Sequence, residues 1–459
     1  MSKEIIFKKE TYDTAAAESF AADYISFLTN CKTERECVAY FVKELEAQGA
    51  KSLESVIESG KAPAPGDVIY FDMMHKALLA IRIGRKAPSE GFRVLGAHVD
   101  SPRLDLKPNP LYEESGMAYL DTHYYGGIKK YQWTALPMAI HGIVVKTDGS
   151  VVNINIGENI KDPVVSITDL LPHLGKAQMQ KTLAEAIPGE GLDLLTGTMP
   201  LAGASDDEKE PVKANILALL KETYGIEEDD LFSAELEVVP AGPAREHGLD
   251  RSMIMAYGQD DRVCAYTSYR AFVEMKDVEY TSLCLFTDKE EIGSVGATGM
   301  HSKFFEDALL DLFSVCGCGG SLELRRAFRK TKVLSSDVSA GYDPFYPEVM
   351  DKKNTSYLGY GPVIIKYQGS GGKAGSNDAN AEYIGYLRKV LGDAGVSFQM
   401  AENGKVDAGG SGTIAYILAN LGMDVIDFGT PVLNMHAPYE ITSKADVYET
   451  YKAYKAFIA

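Results

Sequence analysis

A set of apolar runs in this chain stop abruptly at groups able to bind a cation, and this restricts the fold more than any other feature. Residues 281–286, Thr-Ser-Leu-Cys-Leu-Phe, have the length and character of a fully buried strand. They break into Asp288-Lys289-Glu290-Glu291 and then into a segment with Gly293 and Gly296 that cannot extend a strand. The runs 92–98, 253–257, 331–334 and 425–428 end at or lead into His98, Asp260, Asp337 and His436. Helical stripes lie between them, such as Val263, Tyr266, Tyr269, Phe272 and Val273. Strands alternating with helices specify an α/β domain, and open α/β sheets bind ligands just beyond the carboxyl ends of their strands. A site is expected there. Neighbouring strand residues face opposite ways, so Glu290 and Glu291 serve one site only if the chain bends, which Gly293 and Gly296 allow.

The flanking pattern fills in this frame. Residues 14–48 read as two helices, the second opened by Thr33-Glu34-Arg35-Glu36. Further strands are expected at 68–71, 78–83, 362–367 and 396–400, a helix at 379–391, and a C-terminal helix from Ser443. Gly409-Gly410-Ser411-Gly412-Thr413 reads as a turn opening a helix, with amides able to meet an anionic group. It lacks the spacing of a phosphate-binding loop. Between 107 and 248 the character changes. Short alternating strands at 140–145, 151–156 and 234–239, and a polar stretch at 205–210, suggest a separate β-rich module. The expected organisation is a catalytic α/β/α domain of residues 1–106 and 249–459 with a mixed sheet, interrupted by an inserted domain of residues 107–248.

Composition excludes some partners. With 459 residues two domains are expected, and a net charge of −19 argues against nucleic acid and anionic membrane surfaces. No apolar run reaches transmembrane length, and the N-terminus MSKEIIFKKE has no signal-peptide core. The six cysteines form no C-x-x-C pair and read as reduced thiols, so a cytoplasmic protein is expected.

Adjacent acid pairs arise about nine times by chance at this acid content, so Glu290-Glu291 gains meaning only beside the other strand ends. His98, Asp260, Glu291, Asp337 and His436 form a mixed N/O set suited to zinc, manganese or cobalt. Five ligands exceed one tetrahedral ion and suit two, with His98 and Asp337 on one, Glu291 and His436 on the other, and Asp260 bridging. Such a pair polarises a carbonyl and generates hydroxide from a bridging water. Glu290 is left over to carry a proton. Asp100, two residues after His98, is placed to hold the imidazole's other nitrogen. For Asp260-Asp261, first-turn helix charges are an equally good reading.

The motifs His98-Val-Asp100-Ser-Pro-Arg, Gln259-Asp260-Asp261-Arg262, Glu290-Glu291-Ile-Gly-Ser, Ser336-Asp337 and Met435-His436 resemble, in order, those of the aspartyl aminopeptidase/aminopeptidase I family of dizinc metalloaminopeptidases. The resemblance covers essentially the whole chain. It implies hydrolysis of N-terminal residues from peptides, two divalent ions (zinc, with cobalt or manganese as alternatives), a lid or dimerisation role for the insert, and homododecamers built from dimers. It implies His98, Asp260, Glu291, Asp337 and His436 as ligands, Glu290 as base and Asp100 behind the ligands. Leu171-Pro172-His173-Leu174 is similar to the segment that lends a lid histidine to a neighbouring subunit's active site. Asp260-Asp261-Arg262 stands where aspartyl-specific members tend to read Asp-Asn, so acidic and neutral or hydrophobic N-terminal residues both remain open. A dizinc carboxypeptidase or deacylase, and an inactive shell or binding module of the same fold, are the competing readings.

Overall fold

The computed structural model describes residues 4–205, 207–410 and 412–459. Asp206 in the polar stretch, Ser411 in the glycine-rich turn and the first three residues lie outside the described residues. The chain divides into two compact units. One comprises Met1–Ser101, Ala244–Met435 and Glu440–Ala459; the other comprises Pro102–Pro243 and His436–Tyr439.

The first unit is built on a nine-stranded mixed sheet. Its centre is four parallel strands in the order Thr281–Thr287, Phe92–His98, Lys332–Ser336 and Asp424–Gly429. Ala77–Arg82 flanks them antiparallel on one side and Val363–Ile365 on the other. Every residue of Thr281–Thr287 and Phe92–His98 is buried, because helices cover both faces. That is why these strands read as continuous apolar runs rather than alternating ones. Leu95, Ala97, Cys284 and Phe286 pack with the helices Thr14–Asn30, Glu34–Ala47, Gln259–Glu274, Ala381–Asp393 and Lys444–Ile458. Val94, Leu283 and Leu285 pack on the opposite face with Leu53–Ser59, Phe304–Val315 and Ser321–Phe328. The Val, Leu and Phe side chains among them contribute about 1.5–3 kcal/mol each through burial, and these residues hold the carboxyl ends of the central strands in fixed register.

The expected helix starts are present. Thr33 and Glu36 form a reciprocal cap, with Thr33 Oγ1 accepting the Glu36 N–H at 3.2 Å and Glu36 Oε2 accepting the Thr33 N–H at 3.1 Å. After the glycine-rich turn the helix is only Ala415–Ala419. All six cysteines are free thiols.

A second, five-stranded sheet in this unit was not anticipated. Its order is Arg245–His247, Met253–Ala256, Glu440–Ser443, Pro431–Leu433 and Ser339–Ala340. It joins the segment just before Asp260 to the segment just after Asp337.

The second unit carries a seven-stranded sheet in the order Val151–Ile156, Met138–Val145, Ala234–Pro240, Arg103–Glu114, Met117–Tyr125, Leu194–Gly197 and Ser166–Ile167. It also holds a helix, Pro211–Tyr224, that the strand-rich reading overlooked. The signals were there: Pro211 opens it and Gly225, with φ 67°, closes it in the left-handed conformation.

Candidate metal centre

Three central strands bring acids and an imidazole to one end of the large sheet. His98 closes Phe92–His98 and is 2 % exposed. Thr287 pairs with it in the neighbouring strand, and Glu290–Ile292 follows as one 3₁₀ turn. The bend arrives earlier than expected. Lys289 itself turns the chain with φ 66°, ahead of Gly293 and Gly296. Asp337 follows Lys332–Ser336 directly.

Asp100, fully buried, organises this end. Its Oδ1 accepts the Glu290 N–H at 3.2 Å and its Oδ2 accepts the Glu291 N–H at 3.1 Å. Two oxygens of Asp100 lie near the imidazole. His98 Nδ1 lies 3.0 Å from the Asp100 main-chain carbonyl and 3.4 Å from its carboxylate, so the carbonyl is the nearer partner. The carboxylate serves the two amides and lies near the ring as well.

With Nδ1 directed at a carbonyl, His98 presents Nε2 to the site. That nitrogen faces Asp260 Oδ1 at 3.2 Å, Glu290 Oε2 at 3.9 Å and Asp337 Oδ1 at 3.9 Å. Ligand atoms of His98, Asp260 and Asp337 all lie within 4.8 Å of one another, as do those of His98, Glu290 and Glu291. A buried imidazole nitrogen ringed by three carboxylates is a mixed N/O donor set, and it fits a divalent ion. The acids register the same crowding. Burial, then the charges of Asp260, Glu290 and Asp261, push the Asp337 carboxyl well above its ordinary range. Burial alone disfavours a charged His98, yet hydrogen bonding to Asp100 and Asp260 and the charge of Glu290 outweigh it and raise its pKa well above the ordinary value.

Asp260 does not sit in a regular first helical turn. It follows Gly258 (φ 69°), and its own φ/ψ of −83°/106° is extended; the Asp260–Asp261 peptide is cis. The Asp260 N–H donates to Glu440 Oε2 at 3.0 Å, and its carbonyl accepts from Ser101 Oγ at 2.7 Å. Asp261 points into the protein, fully buried, and burial drives its carboxyl far above the ordinary range.

His436 lies in the link from Pro431–Leu433 to Glu440–Ser443. That link groups with the second unit, where His436 Nδ1 is 2.9 Å from the Gly127 carbonyl. His173 stands exposed in a turn of the second unit, closed by a Leu174 N–H to Leu171 carbonyl bond of 3.1 Å. Sequence reasoning gave no role to Ser101 or Gln259, although both lie inside its motifs, and missed Glu440 altogether. Nothing near Glu440 in the sequence signals its part.

The profile of the family described as Aminopeptidase I zinc metalloprotease (M18) matches residues 27–458. The chain belongs to the M18 family. A probable M18 family aminopeptidase 1 of Clostridium acetobutylicum is 54% identical over 433 residues, covering 94% of this chain and 93% of that one. The crystal structure of an M18 aminopeptidase from Thermotoga maritima superposes with a TM-score of 0.94 at 44% identity, covering 100% of this chain and 99% of the other. The mApe1 dodecamer of S. cerevisiae shares the fold, with a TM-score of 0.78 at 20% identity over 96% of this chain and 97% of that one. This M18 protein is therefore a hydrolase of the aminopeptidase type whose family uses zinc. Membership sets aside the carboxypeptidase, deacylase and inactive-shell readings. No described helix is long and apolar enough to cross a membrane.

Proposed function

We propose that this aminopeptidase releases N-terminal residues from peptides with two divalent ions, most simply zinc. His98 and Asp337 would hold one, Glu291 and His436 the other, and Asp260 would bridge. The observation that carries the reading is the buried His98 Nε2 facing three carboxylates within 3.9 Å. When bound, such a pair of ions polarises the scissile carbonyl and makes a water acidic enough to react near neutral pH. The chain's residues do the rest. Glu290, anchored through its amide by Asp100, accepts a proton from the attacking water at its carboxylate and returns it to the leaving amine. Asp100 fixes the two neighbouring acids, and with its carbonyl orients His98.

Residues 1–106 and 249–459 form the catalytic domain in this reading, and 107–248 a lid and dimerisation domain. Leu171, Leu174, Met179 and Leu183 of that region are solvent-exposed apolar side chains, which supports burial against further copies of the chain. In this reading the assembly is a cytoplasmic homododecamer built from dimers, with His173 serving a neighbour's site. The N-terminal preference stays between acidic and neutral or hydrophobic residues, and a panel of aminoacyl chromogenic substrates decides it. Elemental analysis after reconstitution with excess zinc tests the metal reading: about two ions per chain are expected, and one or none contradicts it.

A further inference from the structure

The bridging role assigned to Asp260 requires its carboxylate to stay fixed between two ions, yet its backbone lies outside regular helix. Both ends of that backbone unit are instead gripped by buried side chains. Glu440, 1 % exposed, takes the Asp260 N–H on Oε2 at 3.0 Å. Ser101, also 1 % exposed, donates to the Asp260 carbonyl at 2.7 Å. Glu440 is itself fixed from two directions. Its strand pairs with Met253–Ala256, opposing Ala256 to Glu440. Its main-chain carbonyl accepts Gln259 Nε2 at 2.7 Å, and Gln259 Oε1 in turn accepts Thr442 Oγ1 at 2.7 Å. Gln259, the residue before Asp260, thus ties the site's entry to the same strand.

We infer that Glu440 is a positioning residue for Asp260, setting the pose of the bridging carboxylate through its amide, with Ser101 as the opposing clamp. The inference rests on the bridging reading of Asp260. An amide held by a carboxyl oxygen is a charge-assisted bond, among the stronger hydrogen bonds in proteins. Groups that orient metal ligands in this way typically govern metal affinity by about 10–100-fold. Glu440 meets Asp260 through the Asp260 main chain, so its removal should act through metal binding first.

The test is zinc affinity, by chelator competition, and the visible spectrum of the cobalt-substituted enzyme, measured on the assembled full chain. Glu440→Ala should bind zinc about 10–100-fold more weakly and show an altered cobalt spectrum. Glu440→Gln keeps a carbonyl oxygen for the Asp260 N–H and should recover most of the affinity. Wild-type affinity and spectrum in Glu440→Ala overturn the inference, as does a Glu440→Gln variant no better than Glu440→Ala. If Glu440→Ala fails to fold, Ser101→Ala carries the test: weakened zinc binding supports the clamp and unchanged binding overturns it. Asp260→Ala separates the two levels of the argument. If it keeps both ions, the bridging reading itself fails, whatever Glu440 does.

Discussion

Replacing Asp100 by Asn should separate the two acids of the Glu290-Glu291 pair from their anchor while leaving His98 in place. One Asp100 oxygen receives each amide, at 3.2 and 3.1 Å, in a fully buried position. An amide side chain offers one acceptor and one –NH₂ group, so one of the two bonds is lost and an N–H donor is left facing another. Hydrogen bonds to a charged partner are worth about 1.5–3 kcal/mol. At about 1.4 kcal/mol per decade, kcat/KM should fall about 10–100-fold. Asp100→Ala removes both bonds and should cost about 10²–10⁴-fold on the same scale. His98 keeps its nearer partner in both variants, because that partner is the Asp100 main-chain carbonyl at 3.0 Å. On the proposed two-ion reading, metal loss should therefore concentrate on the ion assigned to Glu291, leaving close to one zinc per chain rather than none. The assay is steady-state turnover of an aminoacyl anilide alongside zinc content after dialysis. An Asp100→Asn enzyme of normal kcat/KM, or one that loses both ions together, would refute the reasoning.

Two further outcomes follow from buried or exposed groups elsewhere. Burial raises the Asp427 carboxyl from 3.8 to about 7, against opposing hydrogen bonds from Thr413 and Gln368. Between about pH 4 and 7 the unfolded chain has lost this proton while the folded chain keeps it, so stability falls as pH rises through that window and levels off above it. At 1.36 kcal/mol per pH unit the full effect is about 4 kcal/mol, and Asp427→Asn should flatten the melting-temperature profile there; an unchanged slope counts against it. His173→Ala should lower kcat by roughly 10²–10³ if the side chain donates to a developing oxyanion, and only in the assembled oligomer. A normal rate in that variant, or an isolated monomer as fast as the oligomer, excludes the role.

Much of the nine-stranded sheet was legible in the sequence because strands buried on both faces leave unbroken apolar runs, and each run marks its own carboxyl end by the switch to polar residues. Thr281–Thr287 and Phe92–His98 show this most clearly. What stayed hidden depends on pairing between distant segments. Ser339–Ala340 and Pro431–Leu433 are two and three residues long, too short for any periodicity to register. The grip of Glu440 on Asp260 exists only because Glu440–Ser443 pairs with Met253–Ala256, nearly two hundred residues earlier, which no local signal announces. The bend before Glu290 was placed at glycines because a lysine in the left-handed region is uncommon. Lys289 adopts it where the Ser294 N–H closes onto its carbonyl at 2.6 Å. Likewise, whether the Asp100 carbonyl or its carboxylate lies nearer the His98 ring is a matter of ångströms that spacing does not encode.

The division of labour between Glu290 and Glu291 is the centre of the account, and paired glutamine variants test it most directly. Glu290→Gln keeps shape and removes basicity, so kcat should drop by at least the roughly 10²–10⁴ typical of a lost general base, with zinc content, KM and assembly near wild type. Glu291→Gln should lose zinc, and activity with it. A Glu290→Gln enzyme that turns over at the wild-type rate, or that comes out of dialysis without its metal, would contradict the assignment.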